Sequence, residues 1–216
     1  MLLKGMFSAA IRTDEREIAA VEGTPFPEEE IAMAGAIARR RHEFATGRAC
    51  ARDAIGQLGR PPMPLPMGRD RAPLWPDGLV GSISHSRSHC AAAAALRSDG
   101  FLALGLDIEE AEPLDEDFAE EICTPQERAW LAGQPSHHRG LLLKALFSAK
   151  ECAYKCQYAL SGALLDFQDL AVDMDLGEER FTAHFLRDVP PFRRGDRLAG
   201  RIRLRSAHIV SAMSIA

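Results

Sequence analysis

Two carboxylates, Asp107 and Glu109, stand two residues apart at the end of the apolar stretch FLALGL. In a strand that spacing sends both side chains off one face. Their repulsion there is relieved by a divalent cation, and all-oxygen ligands suit magnesium or manganese better than zinc. The plainer alternative is a strand end running into a solvated acidic turn, because Glu110 and Glu112 follow. Further along, LLLKALFSAKECAYKCQ has a helical period. At about 100° per residue Lys144, Ser148, Glu151 and Lys155 fall in one stripe beside a broad apolar face that includes Leu142, Leu146, Ala149 and Cys152. The stripe is either a polar site on a mostly buried helix or a solvated face with a Glu151–Lys155 pair.

Basic groups suited to an anion lie earlier. Arg41, Arg48 and Arg52 share a helix face at spacings of seven and four, with Glu43 and Asp53 able to neutralise them sideways. The sequence Ser82-Ile83-Ser84-His85-Ser86 places hydroxyls and an imidazole where a strand gives way to a turn, a setting for phosphate contacts. A P-loop and a GxGxxG turn are both missing, and no helix follows Gly81-Ser82-Ile83-Ser84, so neither a nucleotide loop nor a serine-hydrolase elbow is supported.

The elements that must position these groups are legible in outline. Residues 2–11 read as a strand, and Thr24-Pro-Phe-Pro-Glu-Glu-Glu as the start of a helix running from about Glu28 to Leu58, with a break near Gly47. A proline-rich loop follows. LVGSIS, CAAAAAL and FLALGLDIE read as three strands of a small meander, although the alanine run alone also suits a helix. Residues 115–131 and about 140–160 are helical, and LAVDM, RFTAHFL, LAGRIRL and HIVSAMSI are strands. The order gives an α+β fold in two units with a seam near residues 97–105.

The chain has 216 residues, a net charge of -5 and 46% hydrophobic residues, enough for a packed core and without a global positive field for nucleic acid. The five cysteines form an odd set with no CxxC pair, and the N-terminal stretch lacks a signal-peptide core, so buried thiols in a reducing cytoplasm are expected. No stretch is apolar and long enough to span a bilayer.

Taken together, GSISHS (81–86), GLDIE (105–109) and FSAKECAYK (147–155), in that order, resemble the 4'-phosphopantetheinyl transferase superfamily. EFATGRACARDAIGQLG (43–59) and PLWPDG (73–78) add likeness to its enterobactin synthase component D group, within the surfactin-synthetase-activating type. The resemblance covers about residues 25–175. It implies two pseudo-symmetric α/β halves, here 1–104 and 105–216, with coenzyme A in the cleft between them. It further implies Asp107, Glu109 and Glu151 as magnesium ligands and Lys155 as a phosphate contact. Arg48, Arg52, Arg71, Ser84 and His85 match positions of coenzyme A contact. One departure stands out: where surfactin-activating relatives carry lysines before the first long helix, this chain has Glu28-Glu29-Glu30, which shifts the 3'-phosphate to Arg48, Arg52 or the run Arg39–Arg41.

The reaction so implied is attack of a carrier-protein serine on the pyrophosphate of coenzyme A, expelling adenosine 3',5'-bisphosphate. Such chemistry asks mainly for charge neutralisation and alignment. Asp107, Glu151 and Lys155 are the expected catalytic groups, with Lys150 or Lys144 sharing the negative charge. Glu151 is the expected base and a water on the cation the alternative. The second substrate would be an apo peptidyl, acyl or aryl carrier protein, and two halves in one chain make a monomer sufficient. Arginines 193, 194, 197, 201, 203 and 205 offer a basic rim for an acidic carrier, or simply charge on an edge strand. A coenzyme A-binding regulatory module and a magnesium-dependent phosphohydrolase remain as rivals.

Overall fold

The alanine run is a strand because both of its faces are covered. Ala91, Ala93 and Ala95 point into one apolar cluster with Leu104, Leu106 and Ile108, while Cys90, Ala92 and Ala94 point into another with Cys50, Ala51 and Ile55. All five alanines are fully buried. Only small side chains allow a helix on one side and a second sheet on the other to approach so closely, so tertiary packing overrides local propensity. The structure is a computed structural model, which describes residues 1–18, 25–205 and 207–216.

The chain is a mixed α/β protein with two antiparallel sheets. The first sheet has the order β1-β3-β2, built from β1 (Arg12–Glu17), β2 (Leu79–His85) and β3 (His89–Leu96). The second has the order β4-β8-β7-β6-β5, from β4 (Ala103–Glu110), β5 (Leu170–Asp175), β6 (Arg180–Phe185), β7 (Arg197–Leu204) and β8 (His208–Ile215). The helices are α1 (Pro27–Glu30), α2 (Ala38–Gly56), α3 (Ala119–Ile122), α4 (Pro125–Ala132) and α5 (Ser136–Ser161). Helix α2 covers the first sheet, α5 covers the second, and a third apolar cluster joins the sheets.

Four expectations change. The first strand is the polar RTDERE rather than residues 2–11, because its backbone pairs with β3 from Arg12↔Ala94 to Glu17↔His89. Leu3, Met6 and Ile11 instead bury in the cluster between the sheets. The long helix is interrupted at residues 34–37 and not at Gly47; a hydrogen at Gly47 is what admits Ile83, whose Cγ2 would lie 3.0 Å from an added Cβ. There is no three-strand meander, since β4 leaves its neighbours in sequence and pairs with β8. Finally β7, with its arginines, is not an edge strand but lies between β6 and β8. Thr24, expected at the helix start, lies outside the described residues.

The register puts Asp107 opposite Ser211 and Glu109 opposite Ile209 on β8. Gly105 is needed one step earlier on the same face of β4, because an added Cβ would sit 2.2 Å from the Cys152 carbonyl oxygen of α5. That close approach of helix to strand brings the polar stripe of α5 over the carboxylates of β4.

Candidate active site

Strands β2 and β4 run side by side without a backbone ladder, and two serines bridge them. Leu106 N donates to Ser82 Oγ at 3.0 Å and Ile108 N to Ser84 Oγ at 3.3 Å. Ser84 Oγ in turn donates to Asp107 Oδ1 at 3.0 Å. Lys155 Nζ reaches the same Asp107 oxygen at 2.6 Å, Ser84 Oγ at 3.1 Å and the Leu106 carbonyl at 3.3 Å. Asp107 is 3% exposed, and its Oδ2 is buried with no partner among the described residues. A buried carboxylate oxygen left unpaired is costly, so the position favours a bound cation.

Glu109 Oε2 accepts from Lys144 Nζ at 3.0 Å. Its pKa is raised, first by burial and then by the charge of Asp107, with Lys144 and Lys155 opposing. Glu151, across on α5, is also raised by burial; Asp107 and Glu109 add to that and Lys155 works against it. The three carboxylates therefore feel one another; spacing on the strand had paired only Asp107 with Glu109, and Glu151 came in through the family resemblance. Burial disfavours the charged form of Lys155, but the Asp107 carboxylate more than offsets it and the pKa rises. Among the described residues no three acidic, histidine or cysteine groups converge tightly enough to ligate a metal. Lysines hold two of the three carboxylates instead. The donor set, all oxygen with one orphaned atom, fits a hard cation.

The helix stripe is a buried interface and not a solvated face. Ser148 is fully buried and shares a hydrogen bond of 2.9 Å with Ser211 on β8. Lys150 is fully committed on another side of α5: Nζ donates to the Ile122 and Phe167 carbonyls, both at 2.8 Å, and pairs with Glu127 at 2.7 Å. Burial lowers its pKa against the pull of Glu127. That network ties α5 to α4 and to the start of β5, through Val172 N to Glu127 Oε1 at 2.7 Å, and Lys150 is positioned as a structural cation.

The arginines part company. Arg48 is 5% exposed; its Nε donates to the Leu65 carbonyl at 2.6 Å and its guanidinium lies 4.3 Å from the Phe44 ring centroid. Burial draws its pKa down to about 10, with Arg52 and Arg40 contributing and Glu29 opposing, so it stays protonated at neutral pH. Arg52 is gripped by fully buried Glu29, at 3.0 and 2.9 Å to the two carboxylate oxygens, and Leu65 N closes the same cluster. Asp53 pairs with Arg16, and Glu43 with Arg39 and Arg40. Arg41 is exposed. His85 meets Arg40 at 2.8 Å through Nε2, which must be the acceptor because a guanidinium only donates. Burial lowers the His85 pKa, Arg40 and Lys155 add to that, and Glu43 counteracts it.

Two neighbouring cavities open onto this ground. The smaller, about 270 Å³, brings Arg40, Arg48, Arg71 and His85 together with Lys155 and the three carboxylates. The larger, about 820 Å³, shares Arg71 and Lys155 with it and extends between Trp75, Tyr154 and Tyr158. Ser84 lends the first cavity its strand and spends its hydroxyl on Asp107. Arg52 lines neither. Of the run Arg39–Arg41 only Arg40 lines the smaller cavity; sequence reasoning missed Tyr154, Tyr158, Asp70 and the buried role of Glu29. The quoted PLWPDG held one signal: Trp75 packs over Gly81 so closely that a Cβ there would be 2.2 Å from the ring.

Comparison with known proteins adds an independent observation. Residues 27–95 match the family model for the 4'-phosphopantetheinyl transferase N-terminal domain, and residues 103–198 that for the 4'-phosphopantetheinyl transferase superfamily. The chain is 44% identical over 199 residues to 4'-phosphopantetheinyl transferase Svp of Streptomyces mobaraensis, covering 88% of this chain and 78% of that one. It is 36% identical to 4'-phosphopantetheinyl transferase PptT of Mycobacterium tuberculosis over 76% of this chain and 71% of the relative. Enterobactin synthase component D of Salmonella typhimurium is 37% identical over 54% of this chain and 48% of the relative. The break between the two family matches, at 96–102, takes in the last residue of β3 and the connection to β4.

Proposed function

From the premise that this chain belongs to the 4'-phosphopantetheinyl transferase superfamily, and so moves the phosphopantetheine arm of coenzyme A to a carrier-protein serine, we propose which of its residues do so. Asp107, Glu109 and Glu151 are the ligands of a magnesium ion, with manganese as substitute. Lys155, Arg48, Arg71 and His85 receive the phosphates of coenzyme A, with Arg52 bracing Glu29 behind them. Ser84 fixes Asp107. The halves are residues 1–104 and 105–216, read as a pseudo-symmetric pair because each is a sheet covered by one long helix, and the substrate lies in the cleft between them. The observation that carries this reading is the orphaned Asp107 Oδ2, on a carboxylate that lines one cavity with Glu109, Glu151 and a set of cations.

Bound there, the magnesium would neutralise charge on the pyrophosphate oxygens. The chain's own groups do the rest. Lys155 and Lys144 already sit on Asp107 and Glu109, on flexible four-carbon stems that let an ammonium exchange a carboxylate for a phosphate oxygen. Burial keeps these charges poorly screened and so more effective than in water. The carrier serine Oγ attacks the phosphorus bearing the pantetheine arm, its proton passes to Glu151, and the bond to the leaving adenosine 3',5'-bisphosphate breaks. Glu151 suits a base because its pKa is shifted upward and, among the described residues, no side chain is hydrogen-bonded to it. We read the carrier as a peptidyl or aryl domain of a siderophore-type peptide synthetase, by analogy with the enterobactin synthase relatives, with a polyketide acyl carrier as the alternative. Five free, buried thiols fit a reducing cytoplasm, and one chain holds every residue named, so a monomer suffices.

The test is intact-mass spectrometry of apo peptidyl and acyl carriers incubated with the chain, coenzyme A and magnesium. A gain of one phosphopantetheine, lost with EDTA and with Asp107→Ala, is expected. Full modification by Asp107→Ala would remove the carboxylate site from the reaction, and release of phosphate without carrier modification would favour a phosphohydrolase.

A further inference from the structure

Tyr158 and Asp70 have no part in the reading above, yet they join the two halves at the mouth of the larger cavity. Tyr158 lies about one helical turn beyond Lys155 on α5, and its ring stacks with that of Tyr154, centroids 5.7 Å apart and planes 26° from parallel. The Tyr158 hydroxyl donates to Asp70 Oδ2. The other Asp70 oxygen accepts from Ala72 N at 3.1 Å, within a turn closed by Gly68 N to Ala72 O at 2.8 Å and Arg71 N to Gly68 O at 3.0 Å. Gly68 leaves room for that aspartate, since a Cβ there would be 2.6 Å from Asp70 Oδ1. At the head of the turn Arg71 has φ 68°, a left-handed conformation that side-chain-bearing residues hold only where their surroundings impose it. Arg71 lines both cavities.

We propose that the Tyr158–Asp70 hydrogen bond is a clasp that ties the 68–72 turn to α5 and thereby fixes Arg71 relative to Lys155, making Tyr158 and Asp70 positioning residues for coenzyme A. By charge alone, an acid beside an arginine at the mouth of a phosphate site weakens anion binding. As half of a clasp, Asp70 instead removes the freedom of a turn that would otherwise have to be ordered when substrate binds. Because the clasp spans from the first half to the helix bearing Glu151 and Lys155, it also sets the width of the cleft at that point. The inference rests on the reading of Arg71 as a coenzyme A contact.

Steady-state kinetics of the full chain with coenzyme A, magnesium and an apo carrier test it. Tyr158→Phe should raise KM for coenzyme A about fivefold, the effect of one hydrogen bond, with kcat and melting temperature unchanged. Asp70→Ala should match it, and Asp70→Asn, whose amide oxygen still accepts from the hydroxyl, should restore the wild-type KM. If Asp70→Ala and Asp70→Asn both lower KM, charge is the whole effect and the clasp is wrong. In an Arg71→Ala background Tyr158→Phe should add nothing, whereas a second, independent rise would show Tyr158 meeting substrate directly and overturn the proposal. An unchanged KM in Arg71→Ala alone sinks the reading of Arg71 and the clasp with it. A raised KM in Arg71→Ala with none in Tyr158→Phe sinks the clasp and leaves that reading standing.

Discussion

At Asp107 one carboxylate oxygen holds Lys155 and Ser84 while the other has no partner among the described residues. Across the cavity Glu151 carries a raised pKa and, among the described residues, no side-chain hydrogen bond. Glu151→Gln removes a proton acceptor but keeps its shape and an oxygen that can still hold the cation, so turnover should fall about 100-fold and far more than KM for coenzyme A rises, measured by carrier mass gain over time. Normal turnover would assign the proton to water. Arg52 presents the opposite case. It is one of three arginines on one helix face, yet its guanidinium faces inward to Glu29 with 11% of its side chain exposed. Arg52→Ala strands a buried carboxylate and should cost about 3–5 kcal/mol in urea denaturation, well before any effect on coenzyme A is read. A loss below about 1 kcal/mol would show that Glu29 is relieved in another way, by protonation or by water.

Between elements, the contact that decides the site is β4 against α5. Gly105 and the small face of α5 (Ala149, Cys152, Ala153, Cys156) let the helix settle on the strand, and Ser148 and Ser211 pin it. Gly105→Ala should cost about 1–3 kcal/mol, because the obstructing atom is helix backbone and cannot rotate away. It should also cut transfer more than that stability loss alone explains, since lifting α5 separates Lys155 from Asp107. Thermal melting alongside kinetics checks both, and a variant that melts normally with full turnover would show that the helix tolerates the shift. Lys150, by contrast, is anchored to Glu127, Ile122 and Phe167. The same helix thus carries one cation for the site and one for the fold, at positions five residues apart on different faces.

For the whole molecule, the proposed site residues come from both family-matched segments: Arg48, Arg71, Ser84 and His85 from the first, Asp107, Glu109, Glu151 and Lys155 from the second. A ligand that touches both should hold them together. Coenzyme A at about 100 times its dissociation constant, with magnesium, should raise the unfolding free energy by about 2.7 kcal/mol, seen as a higher melting temperature. EDTA should remove most of that gain. A coenzyme A shift that survives EDTA would place the cation outside substrate binding. The net charge of -5 leaves the arginines of β7 as a local feature, and Arg203 already spends its guanidinium on Glu179 and on the Lys4 carbonyl.

The sequence by itself determined the identity of the chemical groups and the type of most elements. Spacing of two on a strand put Asp107 and Glu109 on one face, and helical spacing grouped Lys144, Ser148, Glu151 and Lys155, because both periods are properties of the backbone alone. The strands from Leu170 onward and the helix of α5 were legible for the same reason. Long-range packing decided what no period encodes: that β4 pairs with β8, that an alanine run lies between two covered faces, and that polar Arg12–Glu17 is a strand while residues 2–11 are not. It likewise decided which cations line the cavity that holds the three carboxylates. Arg52 and Lys150 look no different in sequence from Arg48 and Lys155, and only the tertiary structure, by burying Glu29 and Glu127 beside them, commits their charge to the fold.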